Sequence, residues 1–107
     1  SEVAPGVATT EAATGPAARA VSLEDGRYRD VVDQLERILA EGRGVLATET
    51  MVSIEESLLT LNAAIAEIEA ALANDPSSDL LLRLLANHQR TKLGVLQRAA
   101  AAVQAQT

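Results

Sequence analysis

A run of seven apolar residues at helical spacing limits what this chain can fold into more than any other feature of its sequence. The residues are separated alternately by three and four positions: Met51, Ile54, Leu58, Leu61, Ile65, Ile68 and Leu72. This is the heptad pattern of helices that pack against one another, and a strand would distribute the same residues over both of its faces. The pattern predicts a long helix over residues 49–73 that packs along one side.

A second helix is expected upstream of this one. Ser22 followed by Asp25 resembles the capping box that starts a helix, and apolar residues then recur at spacings of three and four. Gly42 and Gly44 weaken the pattern, but it continues to residue 46, which predicts a helix over 23–46. Thr48 is then expected to act as the N-cap of the middle helix.

A third helix is expected downstream. The segment 74–78, Asn-Asp-Pro-Ser-Ser, combines a helix stop, a turn and a serine that can cap the next helix. The apolar residues that follow cover a wide arc, with Leu82 on one flank and Leu84 on the other, which is typical of a helix with two neighbours. The expected helix covers residues 78–104.

Short connections make successive helices antiparallel. The predicted fold is therefore all-α: an elongated antiparallel three-helix bundle, or a long helical hairpin with coiled-coil-like packing, over residues 22–107. Residues 1–21 are rich in Ala, Thr, Gly and Pro and lack a sustained apolar period, which predicts a flexible, disordered tether.

The charges of the middle and third helices are opposite in sign. Between residues 49 and 73 there are five Glu and no Lys or Arg, whereas the third helix after Asp79 carries only cations: Arg83, Arg90, Lys92 and Arg98. We expect this difference to favour antiparallel docking of the two helices, although each exposed pair contributes only about 0–1 kcal/mol.

Composition excludes several classes of function. The chain has no Cys, one His and one aromatic residue, and its net charge is −6. Thiol chemistry and Cys-based zinc fingers are therefore ruled out, and nucleic-acid binding is disfavoured because cations and stacking side chains are scarce. No apolar run is long enough to span a membrane. No phosphate loop or nucleophile motif occurs, so we expect neither an enzyme nor a cofactor.

The remaining candidates for chemistry are weak. His88 is a possible metal ligand, but metal sites usually combine several His or Cys at ligand spacing, so a half-buried structural histidine is the preferred interpretation. The pairs Glu55–Glu56 and Glu67/Glu69 are typical of a solvated helix face rather than of acid–base catalysis.

A second apolar stripe on the middle helix exceeds what a bundle core needs. It combines residues at intervals of seven with two further alanines: Val52, Leu59, Ala63, Ala66, Ala70 and Ala73. It is interpreted either as a self-association or partner-binding face, which makes a homo-oligomer or a protein partner the expected assembly, or as an Ala-rich surface that only favours helix formation.

Three stretches resemble the extracytoplasmic regions of bacterial membrane-anchored anti-sigma factors of the zinc-finger type. They are YRDVVDQLERIL, SIEESLLTLNAAIAEIEAALANDPSS and LLLRLLANHQRTKLGVLQRAA. The resemblance covers about 75 residues, from Tyr28 onward, and the matching positions are 54–58, 64–67, 71–73, Asp75-Pro76, 92–93 and 96–99. The Asp-Pro turn is also common in tetratricopeptide hairpins.

This resemblance implies a non-enzymatic sensory or assembly domain of a transmembrane regulator of an extracytoplasmic-function sigma factor. The domain would be periplasmic, a portion of an inner-membrane protein. Contact with the sigma factor would be made only by a cytoplasmic domain, and contact with the membrane only by a span, both absent from this sequence. The chain is accordingly expected to be a piece of a longer protein. The alternatives are a helical interaction or oligomerisation module, such as a tetratricopeptide-like hairpin, and a metal-sensing domain.

Overall fold

A computed structural model describes the backbone of residues 16–106 and the side chains of residues 26–106. Within that range there are three helices and no strand: α1 (Pro16–Glu41), α2 (Thr48–Asn74) and α3 (Asp79–Gln106). The predicted all-α class is confirmed. The chain divides into two units, residues 1–33 and 34–107, and the packing described below lies within the second.

Helix α1 begins and ends earlier than predicted. It starts at Pro16, so Ser22 lies inside the helix rather than at its N-cap, and the predicted tether is helical over residues 16–21. Proline suits a first turn because the amide hydrogen that it lacks has no partner there. The rest of the tether, residues 1–15, lies outside the described residues.

The end of α1 falls at Glu41, five residues before the predicted end. The amide of Gly42 still donates to the Ile38 carbonyl at 2.9 Å, but the amide of Val45 donates to the Gly42 carbonyl, also at 2.9 Å, in a tight turn. Two glycines within three residues make the helix costly to continue, and the apolar period through residue 46 does not offset this.

Helix α2 starts one residue earlier than predicted, so Thr48 is its first residue rather than its cap. Ala47 occupies the cap position with extended backbone angles (φ −58°, ψ 144°) and without a side-chain hydrogen bond. The Met51 amide donates to the Ala47 carbonyl at 3.0 Å, and Glu49 lies in the first turn, where the helix dipole favours an acidic side chain.

The turn between α2 and α3 follows the prediction. The amide of Asp75 donates to the carbonyls of Ala71 and Leu72 at 3.0 and 3.2 Å and closes α2. The Ser78 hydroxyl oxygen accepts from the Leu81 amide at 3.2 Å, so Ser78 is the N-cap of α3. The predicted capping serine is therefore confirmed. Helix α3 accordingly begins one residue later than predicted, at Asp79, and ends two residues later, at Gln106.

Helices α2 and α3 pack as an antiparallel hairpin. All seven residues of the predicted heptad seam are buried or half-buried. The most deeply buried side chains lie toward the end of the hairpin that is remote from its turn: Met51, Leu96, Ala99, Ala100 and Val103. Nearer the turn the seam is half-buried, and Leu82, which the sequence placed in the apolar arc of α3, is 45% exposed.

The end of α1 and the loop after it lie along this hairpin. The Nζ atom of Lys92 is 3.9 Å from a carboxylate oxygen of Glu36, Gly42 is packed against Val103, and Arg43 forms an ion pair with Glu55. Glu36 contacts residue 92 of α3, and Gly42 contacts residue 103. Because both residue numbers rise together, the end of α1 runs in the same direction as α3. Within residues 34–107 the structure is therefore a hairpin of α2 and α3 with the last two turns of α1 alongside it.

Candidate protein-interaction face

The second apolar stripe of α2 lies on the surface. We call it the α2 outer face, and it consists of Val52, Leu59, Ala63, Ala66, Ala70 and Ala73, all of which are exposed. Leu59 is 72% exposed and Val52 46%, whereas the seam residues one position before each of them are at least half-buried. An exposed leucine within an apolar stripe of about six turns is the feature most typical of a contact surface.

Glutamates lie on both sides of the α2 outer face. Helical spacing places Glu56 and Glu67 along one side and Glu55 and Glu69 along the other. Of these four, only Glu55 takes part in an ion pair within the described part of the chain, with Arg43 of the preceding loop. The surface around the stripe is therefore acidic.

The charges of α2 and α3 do not pair with each other as their opposite signs led us to expect. Among residues 26–106, two ion pairs occur, Arg43–Glu55 and Lys92–Glu36, and neither joins α2 to α3. Arg90 instead donates to the side-chain oxygen of Asn87 at 2.8 Å on its own helix. The two helices are held together by their apolar seam, because their charged residues lie on outer positions that do not meet.

An open groove, which was not among the features expected from the sequence, runs between α2 and α3. The groove has a volume of about 450 Å³. Its walls carry small hydroxyl side chains and its floor is apolar; the lining includes Ser53, Ser57, Thr60, Leu61, Thr91 and Val95. The signal in the sequence is the spacing of Ser53, Ser57 and Thr60, which follows one edge of the seam.

The groove continues toward the open end of the hairpin, between Thr50 and Ala102, where Arg98 forms part of its wall. Glu55 lies two residues from both Ser53 and Ser57 and therefore points about 200° away from them. Because Glu55 pairs with Arg43, the groove and the segment that follows α1 lie on opposite sides of the hairpin.

His88 is part of the helix packing. It is half-buried, and its Nδ1 atom lies 2.8 Å from the Leu84 carbonyl oxygen one turn earlier. A carbonyl oxygen only accepts, so Nδ1 carries the proton in this contact. In the part of the chain that is described, no three His, Cys, Asp or Glu side chains are grouped so that they could hold a metal ion. The acidic pairs are also separated, since Glu67 and Glu69 lie on different sides of α2.

The comparisons with known proteins add no relative. No family model, no curated protein and no solved structure matches this chain. Within the described residues, none of the helices combines the length and apolar character that crossing a membrane requires.

Proposed function

We propose that this chain is a non-enzymatic helical assembly domain that binds a protein partner through the α2 outer face. The observation that supports this most strongly is the exposure of Leu59, at 72%, within a stripe that otherwise consists of Val52 and four alanines. Alanines allow the backbone of a second helix to approach closely, and the leucine supplies apolar area for burial.

The charges around the face define the chemistry of the partner. Glutamates on both sides and the lack of any Lys or Arg on α2 mean that a second α2 helix would bring carboxylates against carboxylates. Like charges at such positions oppose pairing, whereas opposite charges beside an apolar seam select a partner. The partner that fits is an amphipathic helix with Leu or Ala along its seam and Lys or Arg on both sides.

A pair of designed peptides tests this proposal. Both are amphipathic helices of four heptads with Leu and Ala at the seam; one carries Lys at the flanking positions and the other carries Glu. We expect the Lys peptide to bind the full chain in titration calorimetry and the Glu peptide not to bind. Leu59→Arg should weaken binding of the Lys peptide by at least about tenfold, since it removes the largest exposed apolar side chain of the face and adds a like charge.

The matched control is Leu82→Arg, because Leu82 is an exposed leucine of α3 outside this face. Equal loss of binding in both variants would show that the peptide responds only to net charge. Unchanged binding in Leu59→Arg would contradict the proposal directly.

A narrower proposal is that this domain is the sensory or assembly end of a membrane-anchored anti-sigma factor, located in the periplasm. Its support is the resemblance of the stretches that contain residues 54–58, Asp75-Pro76 and 92–99. It requires a parent gene that encodes a membrane span and a His/Cys zinc motif upstream of Ser1. Sequencing that region tests it, and a parent that lacks both features would contradict it.

The tetratricopeptide-like alternative gains no support from the lengths of the helices. The hairpin from Thr48 to Gln106 is much longer than a tetratricopeptide unit, which has roughly 34 residues.

A further inference from the structure

We propose that the groove between α2 and α3 is a self-association surface, in which two copies of this chain pack groove to groove with α2 of each copy against α3 of the other. This goes beyond the proposed partner binding, because the groove lies between α2 and α3, next to the α2 outer face, and the two surfaces share only the glutamates at their border, such as Glu56. The occupant of the groove is a second copy of the same hairpin, and together the two hairpins form a four-helix core.

The shape of the groove suits close helix packing. Its floor contains Leu61 and Val95, both half-buried, which a second hairpin would cover. Its walls carry small Ser and Thr side chains, so another helix can approach closely. Covering these hydroxyls is tolerable, because Ser and Thr on a helix can donate to the carbonyl one turn earlier. Thr91 already does so, with Oγ1 3.0 Å from the Asn87 carbonyl oxygen.

The charges on the two edges of the groove indicate what covers it. Glu56 lies on the α2 edge and Arg98 on the α3 edge, and both line the groove. Helical spacing continues the acidic edge toward the turn with Glu67 on α2, whereas Arg83 lies about 60° away from the direction of Arg98 on α3. The α2 edge is therefore acidic, and the α3 edge carries one cation, Arg98.

These charges have no ion-pair partners within the described part of the same chain. The Arg98 guanidinium instead lies over its own helix, where its Nη1 atom is 3.4 Å from the place that a Cβ of Gly94 would occupy. The edges are available for contacts with another molecule.

A two-fold axis parallel to the helices brings the edges into register. Such an axis keeps each residue at its level along the bundle and places α2 of one copy beside α3 of the other, in antiparallel orientation. Ser53 lines the groove together with Arg98, and Glu56 lies three residues further along α2, so Glu56 and Arg98 are separated by about one helical turn along the hairpin, within reach of their long side chains. The axis would then pair Glu56 of each copy with Arg98 of the other.

The other face-to-face arrangement is disfavoured by charge. A two-fold axis across the hairpin would place α2 against α2 and α3 against α3, and each acidic edge would then face an acidic edge. Like charges in register oppose assembly, so the charge pattern selects the first arrangement.

Charge reversal tests the proposal on the full chain. Sedimentation equilibrium over a concentration series should give wild-type protein twice the mass of one chain. Glu56→Arg and Arg98→Glu should each weaken self-association by about tenfold, because each reverses two symmetry-related contacts. The double variant should return to within about threefold of wild type, since both pairs are restored with inverted signs.

The matched control is Glu69→Arg, which makes the same change of charge on α2. Residue 69 points about 200° away from Glu67 and therefore away from the groove edge. It should leave the dissociation constant unchanged, and helical circular dichroism should be the same for all four variants. Four results would overturn the proposal: a single-chain mass for wild type, a tighter dimer in Glu56→Arg, no recovery in the double variant, or equal weakening in Glu69→Arg. Leu59→Arg should leave the dimer intact, which separates this proposal from partner binding at the α2 outer face.

Discussion

Gly42 and Val103 lie so close together that any side chain at position 42 requires Val103 to shift. A Cβ atom added to Gly42 would collide with Cγ1 of Val103 and lie 3.0 Å from its Cγ2. Gly42 is buried and follows the last residue of α1, and Val103 is buried in the last turns of α3. The glycine that interrupts the apolar period of α1 is therefore also the residue that lets the chain pack against the end of α3.

This contact predicts different effects at two neighbouring glycines. Gly42→Ala should lower the free energy of unfolding by about 1–3 kcal/mol, because the methyl group overpacks the contact with Val103. Gly44→Ala is the control: a Cβ there meets nothing within 4 Å, so the variant should be neutral or up to about 1 kcal/mol more stable. Urea unfolding followed by circular dichroism measures both values. Equal changes in the free energy of unfolding at positions 42 and 44 would show that the contact with Val103 does not restrict the residue at position 42.

A second prediction compares a buried leucine and an exposed leucine of the same hairpin. Leu96 is fully buried, so Leu96→Ala should lower the free energy of unfolding by about 2–5 kcal/mol through the cavity that it leaves. Leu59→Ala removes an exposed side chain and should change this free energy by less than about 0.5 kcal/mol. The same urea titration measures the free energy of unfolding of both variants. A large loss in Leu59→Ala would mean that the α2 outer face is covered within the chain.

A third prediction concerns the start of α3. Ser78→Ala removes the hydroxyl that accepts from the Leu81 amide and should lower the free energy of unfolding by about 0.5–2 kcal/mol. Ser77→Ala, one residue earlier in the same turn, lies outside the cap position and serves as the control. Differential scanning calorimetry should show a lower midpoint for Ser78→Ala alone. A shift of equal size in Ser77→Ala would indicate that the turn responds to any substitution.

The features that the sequence predicted well are those that depend on local spacing. The seam from Met51 to Leu72 requires only that apolar residues recur at the helical period, and the stop after Asn74 requires only Pro76 and a capping serine. Each of these effects acts within one or two turns, so it can be read from neighbouring residues alone. The exposed α2 outer face follows from the same period, since a residue on the far side of the seam must point outward.

The start of α1 and the cap of α2 were predicted less well, although they are local. Ser22 and Thr48 have the right side chains for N-caps, but the helices begin at Pro16 and Thr48 instead. A capping side chain contributes only about 0.5–2 kcal/mol, so the remaining contacts of a long helix can move its start by several residues.

The sequence by itself determined the class, the three helices and the seam that joins α2 to α3, because periodicity alone decides which residues share a helix face. The tertiary structure decided three further properties: that Gly42 contacts Val103, that the charges of α2 and α3 remain unpaired between the two helices, and that Glu56 and Arg98 line opposite edges of one groove. Each of these depends on the distance and rotation between helices, which are set by how side chains far apart in the sequence interlock.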